Sequence, residues 1–243
     1  MKFHIYIQAR VNSTRLPKKI LKKIGDKTVF EILVERLKLV SNSEIFLVTG
    51  SQLLNNELID KAVKMNISYF SGDEDNILNR FYNASRKFSS QNIIRITGDC
   101  PLIDFELVNE GTKIFSQKKI DFLLNYIPRT YPHGFDFEIF TAGALENSRN
   151  NVYSKYNDQN LFLSTFMNPV QEMIKSKTLV NYKMKNNIDN SDIRLTMDYL
   201  DDLKLISYLY QKLYKTNPNF TSSDILNLLK IEPQLMNINK EFV

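Results

Sequence analysis

Hydrophobic and polar positions change their spacing several times along this chain of 243 residues, and each change predicts an element. An apolar run at 3–7 predicts a buried strand. Apolar residues then recur at three- and four-residue spacing, which predicts an amphipathic helix over about 28–40. The next run, at 44–49, is apolar on both faces, as an internal strand of a parallel sheet requires. A strand, a helix and a strand in this order favour a right-handed crossover.

The alternation of strands and helices continues to the C-terminus. Strands are predicted at about 67–70, 92–96 and 120–125, with an antiparallel excursion near 134–140 and a short strand that ends at Asp198. Helices are predicted at about 54–65, 105–117, 200–214 and 221–230, and the last of them either closes the core or pairs subunits. We therefore expect one three-layer α/β domain over residues 1–243, with a mostly parallel sheet and a helical part at about 200–243.

The loop after the first strand carries the densest chemistry. Four cations fall within ten residues, and they are Arg10, Arg15, Lys18 and Lys19. Ligands bind α/β sheets at this carboxyl edge, and guanidinium and ammonium groups neutralise phosphate oxygens. The loop lacks the glycine spacing of a P-loop, so side chains would have to bind the phosphates. The alternative is a solvated basic loop.

Residues 9–19 have the pattern Ala-Arg-x-x-Ser-Thr-Arg-Leu-Pro-x-Lys. This pattern resembles the cytidylyltransferases that activate sugar acids, such as the CMP-Kdo and CMP-sialic acid synthetases, and is more similar to the SpsF branch. The resemblance implies a fold of the nucleotide-diphospho-sugar transferase type and transfer of CMP from CTP to a sugar or sugar acid. It also implies Arg15, Lys19 and Asp99 as catalytic residues. The implied nucleotide contacts are Ala9, Arg10, Ser13, Arg15, Lys18, Lys19, Arg80 and Gly98.

A second polar stretch, 97–101, follows the predicted strand at 92–96. Asp99 stands there on a turn made by Gly98 and closed by Pro101, so its carboxylate is expected to point into the cleft. Magnesium is bound through one or two carboxylates plus substrate phosphates, which makes Asp99 a predicted Mg²⁺ ligand. The alternative is a turn aspartate that bonds its own backbone. Cys100 is predicted to be a small buried residue.

The segment 193–203 carries the next candidates. The relatives have Leu-Thr-Val-Asp where this chain has Leu-Thr-Met-Asp, so the resemblance makes Asp198 the second Mg²⁺ ligand. Arg194 is predicted to reach a phosphate or to orient these carboxylates. The two aspartates can share one cation only if the sheet brings them together.

The acceptor side is predicted at 132–138. Residues 135–139 alternate apolar and acidic side chains, which is typical of a strand that exposes a polar face. The family has Pro-x-Gly-x-Asp-x-Glu here, which implies that His133, Asp136 and Glu138 contact the acceptor. Residues 158–162 depart from the Arg-Glu-His-Val-Thr of the relatives and leave the acceptor open.

An acidic stretch, Asp73-Glu74-Asp75, precedes another predicted helix, where its charges complement the helix N-terminus. The resemblance implies that Arg80, on that helix, faces the nucleotide. Two alternatives stay open. Asp73 and Asp75 have the D-x-D spacing with which glycosyltransferases of the same fold hold a metal, and a catalytically silent binding relative would fit the altered 158–162 segment.

Composition excludes some classes. The net charge of +5 is modest and no dense basic stripe is present, so we expect no nucleic acid as a partner. No apolar run approaches the ~20 residues of a membrane helix, and no signal-peptide core follows Met1. A single cysteine fits a reducing compartment. We expect a cytoplasmic protein whose partners are CTP and a sugar acceptor, and a homodimer stays open.

Overall fold

The computed structural model describes residues 1–156, 161–162, 165 and 167–242. The strands there are β1 (Phe3–Gln8), β2 (Lys23–Ile24), β3 (Lys27–Thr28), β4 (Ser43–Thr49), β5 (Ser68–Ser71), β6 (Asn92–Thr97), β7 (Phe122–Leu124), β8 (Glu138–Thr141) and β9 (Asn181–Lys183). The helices are α1 (Val29–Leu37), α2 (Gln52–Lys64), α3 (Ile77–Lys87), α4 (Phe105–Lys118), α5 (Ala142–Tyr153), α6 (Pro169–Lys175), α7 (Leu200–Thr216) and α8 (Ser222–Ile231).

Seven of these strands form one sheet in the order β5-β4-β1-β6-β8-β7-β9, and β2 and β3 form a separate hairpin. The pairs β4–β5, β1–β4, β1–β6 and β7–β9 are parallel, whereas β8 is antiparallel to both β6 and β7. The predicted mostly parallel sheet with one antiparallel excursion is confirmed. The excursion begins at Glu138, later than predicted, because the chain at 134–137 turns in a loop.

Helices cover both faces of the sheet. On one face, Ile5 and Ile7 of β1 pack in a core with α1, α2, α4, α7 and α8. On the other, Tyr6 packs in a second core with α3, α5 and α6. Alternate residues of one buried strand therefore supply two cores, as the period of a strand dictates. The predicted three-layer sandwich is confirmed, and the last helix closes the first core through Ile225 and Leu229.

Local sequence sets most helix starts. Thr28 and Glu31 form a capping box at the start of α1, in which the Glu31 backbone N–H donates to the Thr28 hydroxyl at 3.3 Å. Asp104 caps α4 by accepting from the Glu106 backbone N–H at 2.9 Å. The cap of α3 is Asn76, which accepts from the Asn79 backbone N–H. The acidic stretch 73–75 precedes this cap, so Asn76, and not one of the three acidic residues, caps the helix.

The short strand predicted before Asp198 is absent from the structure of residues 193–198. Only an isolated bridge joins Arg194 to His133, and the segment is held instead by the Met197 backbone N–H, which donates to the Asp99 carbonyl at 2.8 Å. Gly134 permits the close approach of its own backbone to Leu195, because its φ is 120° and a Cβ there would lie 2.4 Å from the Leu195 carbonyl carbon. Among the helices described, none has the length and apolar character needed to cross a membrane.

Candidate active site

The site lies where β1 and β6 end side by side, with Gln8 paired to Thr97. The Gly98 backbone N–H donates to the Gln8 carbonyl at 2.9 Å, so the two loops leave the sheet in contact. A Cβ at Gly98 would lie 2.8 Å from the Ala9 Cβ, a distance that only glycine avoids. Beyond this edge a cavity of about 510 Å³ is lined by residues of the 9–20 loop together with Glu74, Arg80, Thr97, Gly98, Asp99, Asn168 and Asp198.

Lys19 joins the two predicted metal ligands. Its Nζ donates to Asp99 Oδ2 at 2.8 Å and to Asp198 Oδ1 at 2.9 Å. The two carboxylates come from positions 99 residues apart, and both turn toward one ammonium group. The structure therefore brings Asp99 and Asp198 together, which a shared cation requires, and places the Lys19 ammonium between them.

Further polar groups hold this acidic pair in place. Arg15 Nη2 donates to Asp198 Oδ1 at 2.7 Å, and Arg194 Nη2 donates to Asp198 Oδ2 at 3.2 Å. Arg194 also binds Asp202 through Nε at 2.9 Å and Nη2 at 3.0 Å. The guanidinium of Arg194 thus orients the carboxylate of Asp198, the second of its two predicted roles. Thr97 Oγ1 donates to Asp99 Oδ1 at 2.5 Å.

Burial and charge act in opposite directions on these groups. Burial lowers the pKa of Lys19, but the carboxylates of Asp99 and Asp198 outweigh it and hold the pKa above its ordinary value. Burial raises the pKa of Asp99, but the ammonium of Lys19 and the Thr97 hydroxyl outweigh it and hold the pKa below its ordinary value. Both groups are therefore charged at neutral pH.

The donor set suits Mg²⁺ only together with a ligand that brings its own oxygens. Asp99 and Asp198 supply carboxylates, and no group of three or more His, Cys, Asp or Glu side chains suited to a metal occurs among the residues that the structure describes. Magnesium sites in phosphoryl-transfer proteins have this form, with one or two carboxylates and the substrate's phosphates. The residues present fit such a cation.

Arg10 and Arg80 also line the cavity. Arg10 Nη1 lies 3.6 Å from the Glu74 carboxylate. Arg80 is 2% exposed and donates to the carbonyls of Asp73 and Glu74, while its Nε has no partner. Burial lowers the pKa of Arg80 to about 10, so it stays a cation. Asp73 and Asp75 do not line this cavity, and Asp73 instead accepts from Asn79 at 2.7 Å. This placement disfavours the D-x-D alternative.

Lys18 departs from its predicted place among the phosphate ligands. Its Nζ donates to Glu57 of α2 at 2.6 Å, and Lys18 is not among the residues that line the cavity. The backbone explains this, because Lys18 has a φ of 53° and the chain turns there into a 3-10 turn at Lys19–Leu21.

Of the predicted acceptor residues, His133 lies beside Arg194 and Asp136 lies beside His133. His133 Nδ1 is 3.3 Å from Arg194 Nη1, and Asp136 accepts two hydrogen bonds from Arg129 at 2.6 and 2.8 Å. Burial lowers the pKa of His133 despite the nearby charge of Asp136, so its imidazole is neutral at pH 7. Residues 158–160 of the altered segment lie outside the described residues.

The exposed polar face predicted at 135–139 is wrong at Glu138. This side chain is buried, and it accepts from Arg95 at 2.7 Å and from the Tyr126 hydroxyl. The reason is topological, since β8 lies between β6 and β7 inside the sheet. Its predicted contact with an acceptor stays a prediction, and it would have to act through Tyr126 or Arg95.

Several residues of the site were not predicted from the sequence. Thr97 and Asn168 line the cavity, Arg129 fixes Asp136, and Asp202 binds Arg194. Arg129 and Asp136 stand in the same loop. A basic residue followed by an acidic one within 128–138 could have indicated their ion pair. Cys100 is buried as predicted, and burial raises the pKa of its thiol well above the usual range.

A mostly parallel sheet with cations and paired carboxylates at its carboxyl edge is typical of α/β nucleotidyltransferases. The sequence model described as cytidylyltransferase matches residues 5–219, and the chain belongs to the cytidylyltransferase family. It is 27% identical to the spore coat polysaccharide biosynthesis protein SpsF of Bacillus subtilis, over 93% of each chain. It is 32% identical to a 3-deoxy-manno-octulosonate cytidylyltransferase of Fusobacterium nucleatum over 120 residues, 49% of this chain and 48% of that one.

A solved structure of a cytidylyltransferase from Leptospira borgpetersenii is similar along the whole chain. It superposes with a TM-score of 0.82 at 27% identity and covers 97% of each chain. The resemblance found in the 9–19 loop is confirmed by these comparisons, and with it the enzyme class of nucleotidyltransferase.

Proposed function

We propose that this protein transfers CMP from CTP to a sugar or sugar acid, with Mg²⁺ as cofactor, and makes a CMP-activated sugar for surface polysaccharide synthesis. The observation that carries the proposal is the convergence of Asp99 and Asp198 on Lys19, beside Arg15 and at the rim of one cavity. Relatives that activate a sugar acid or serve polysaccharide synthesis support the acceptor class.

In the proposed reaction an acceptor hydroxyl oxygen forms a bond to the α-phosphorus of CTP. The bond between that phosphorus and the bridging oxygen of the β-phosphate breaks, pyrophosphate leaves with the electron pair, and the hydroxyl proton passes to water. Asp99 and Asp198 would hold Mg²⁺, which would supply Lewis-acid stabilisation of the phosphate charge. The protein's own cations Arg10, Arg15 and Lys19 stabilise the leaving pyrophosphate by preorganised electrostatics.

The two sides of the site have separate duties in this proposal. Arg10, Arg80 and the Gly98 turn, which line the cavity, bind the nucleotide. Arg194, which binds Asp198 Oδ2, faces the acceptor together with its neighbour His133 and with Asp136. A neutral His133 offers one donor or one acceptor nitrogen to a hydroxyl.

The test is pyrophosphate release from CTP, UTP, ATP and GTP with Mg²⁺ and a panel of sugar acids and neutral sugars. We expect release with CTP and at least one acceptor. Binding of CTP without release for any acceptor would indicate the silent binding relative. Release of a nucleoside diphosphate from a nucleotide sugar would indicate the glycosyltransferase, and a preference for UTP or GTP would overturn the cytidylyl assignment.

A further inference from the structure

The C-terminal segment of the chain returns to the active site. The family match ends at residue 219. After α8 the chain continues through two 3-10 turns, at Pro233–Asn237 and Lys240–Phe242. Residues of this segment contact groups that hold Asp198. Leu235 anchors the segment in the core, and Asn239 is 3% exposed.

The first contact runs through Asn239. Its Nδ2 donates to the Arg194 carbonyl at 3.0 Å and to Asp202 Oδ1 at 2.8 Å. Asp202 is fully buried, and it also accepts from the backbone N–H groups of Asp198 at 2.8 Å and Tyr199 at 3.0 Å. Asn239 therefore fixes the carboxylate that fixes Arg194 and the backbone of Asp198.

The second contact runs through Phe242. Its ring stacks on that of Tyr199 with centroids 3.9 Å apart and planes 11° apart. The Arg15 guanidinium lies 5.6 Å from the centroid of the same Tyr199 ring, and Arg15 binds Asp198 Oδ1. Phe242 therefore supports the aromatic ring beside which Arg15 is placed, and the two contacts meet at the two oxygens of one carboxylate.

We propose that Asn239 and Phe242 are positioning residues, through which the C-terminal segment fixes the direction of Asp198 and Arg15 for nucleotidyl transfer. The kinetic test of this inference rests on the proposed function. A buried, fully hydrogen-bonded support limits the orientations of the groups it holds, and misplacing a reacting group by a fraction of its contact distance costs rate rather than binding.

The kinetic test compares Asn239→Ala and Phe242→Ala with Lys240→Ala and Glu241→Ala, which alter exposed neighbours in the same segment. We expect kcat to fall about 10- to 100-fold in the first two variants, as when supporting partners of a ligating group are removed, and to be unchanged in the controls. The KM for CTP should change less than kcat, because Arg10, Arg80 and Gly98 still bind the nucleotide. Phe242→Tyr should restore kcat, whereas Phe242→Leu, which fills space without a ring, should not.

A lower melting temperature with unchanged kcat in Asn239→Ala and Phe242→Ala would overturn the inference, because it would mean that the segment only closes the core. Rescue by Phe242→Leu would do the same for the stacking contact.

A second measurement does not depend on turnover. The chain contains no tryptophan, so Phe242→Trp introduces a single indole next to Tyr199 and Arg15. We expect its emission to change when CTP and Mg²⁺ are added, and the change to be lost when Tyr199→Leu is combined with it. If the wild type releases no pyrophosphate but the indole responds, the proposed function fails and the C-terminal contact stands. If release is normal and the indole is silent, the inference fails alone.

Discussion

Lys18 and Lys19 offer the same ammonium group at adjacent positions, and the backbone gives them opposite surroundings. Lys18, in the left-handed region, binds Glu57 at the surface, whereas Lys19 is 15% exposed at its side chain and bridges two aspartates. A basic loop in a sequence therefore does not say which of its cations belongs to the site. A cation that is buried between carboxylates, as Lys19 is, is held in one position by its ion pairs.

We expect Lys19→Met to lower turnover by about 10²- to 10³-fold, the cost of removing one preorganised donor from a developing negative charge. Initial rates of pyrophosphate release measure it. Lys18→Met is the matched control and should retain the wild-type rate. Equal losses in both variants would contradict the assignment and indicate a general requirement for positive charge on the loop.

Gly98 is the second residue at which local space decides the outcome. Gly98→Ala places a Cβ 2.8 Å from the Ala9 Cβ and 3.0 Å from Ile20 Cδ1, so the two loops that form the cavity must separate. We expect weaker CTP binding by calorimetry and a lower melting temperature. Gly143→Ala, where the added Cβ meets only Thr141 Oγ1 at 3.9 Å, is the control. Its free energy of unfolding should rise by up to about 1 kcal/mol, because alanine favours a helix more than glycine does. Unchanged CTP affinity in Gly98→Ala would contradict the close approach.

Helix α1 illustrates how much one element owes to a few local contacts. Glu31 Oε2 accepts from the Thr28 backbone N–H and from its hydroxyl, each at 2.6 Å, and Oε1 accepts from Lys61 at 3.0 Å. Burial raises the pKa of Glu31, but these hydrogen bonds outweigh it and lower the pKa from 4.5 to about 2. The stability of the helix start therefore depends on the ionised form of the Glu31 carboxylate.

This gives a pH-dependent prediction. A carboxyl with a lowered folded-state pKa stabilises the protein above its unfolded pKa, and the contribution is lost as the pH falls through the folded value. Glu31→Gln should cost about 0.5–2 kcal/mol of unfolding free energy at pH 7. The difference from wild type should be complete above pH 4.5 and disappear as the pH approaches about 2, in urea unfolding curves.

Lys61→Met is the control for Glu31→Gln, since it removes the ion pair and leaves the cap intact. We expect a smaller loss than in Glu31→Gln, because two of the three hydrogen bonds come from Thr28. A pH-independent difference between wild type and Glu31→Gln would show that the charge of Glu31 has no part in the cap.

At the scale of the whole molecule, the site joins segments that are distant in the chain. The loop at 9–19, the turn at 97–101, the segment at 194–202 and the C-terminal residues 239–242 meet at one edge of the sheet. A ligand bound there would contact segments from the N-terminal and the C-terminal half of the chain. Unfolding of either half therefore abolishes the site, and the ligand stabilises the whole domain.

We expect CTP with Mg²⁺, at 100 times its dissociation constant, to stabilise the fold by about 2.7 kcal/mol. For a domain of this size that is a rise of roughly 5–10 °C in melting temperature by calorimetry. UTP at the same concentration is the control and should give a smaller rise. Equal rises with all four triphosphates would mean that the cavity binds phosphates and does not select the base.

The sequence by itself determined the layers, the mostly parallel sheet, the capped helices and the loop at 9–19, because hydrophobic period, capping residues and a local motif are properties of short segments. It also named Asp99 and Asp198, through a motif at each. It missed α5 and α6, whose apolar positions follow no clear period, and it predicted a strand before Asp198 where the chain is held by single contacts.

Only the tertiary structure decided which charges belong together. The burial of Glu138 against Arg95, the turning of Lys18 toward Glu57, and the support of Asp198 by Asn239 and Phe242 depend on residues far apart in the chain. A carboxylate or an ammonium has the same chemistry in every sequence position. Its partner, and the water it loses on burial, are fixed by the packing of whole elements, and these set its direction and its charge state.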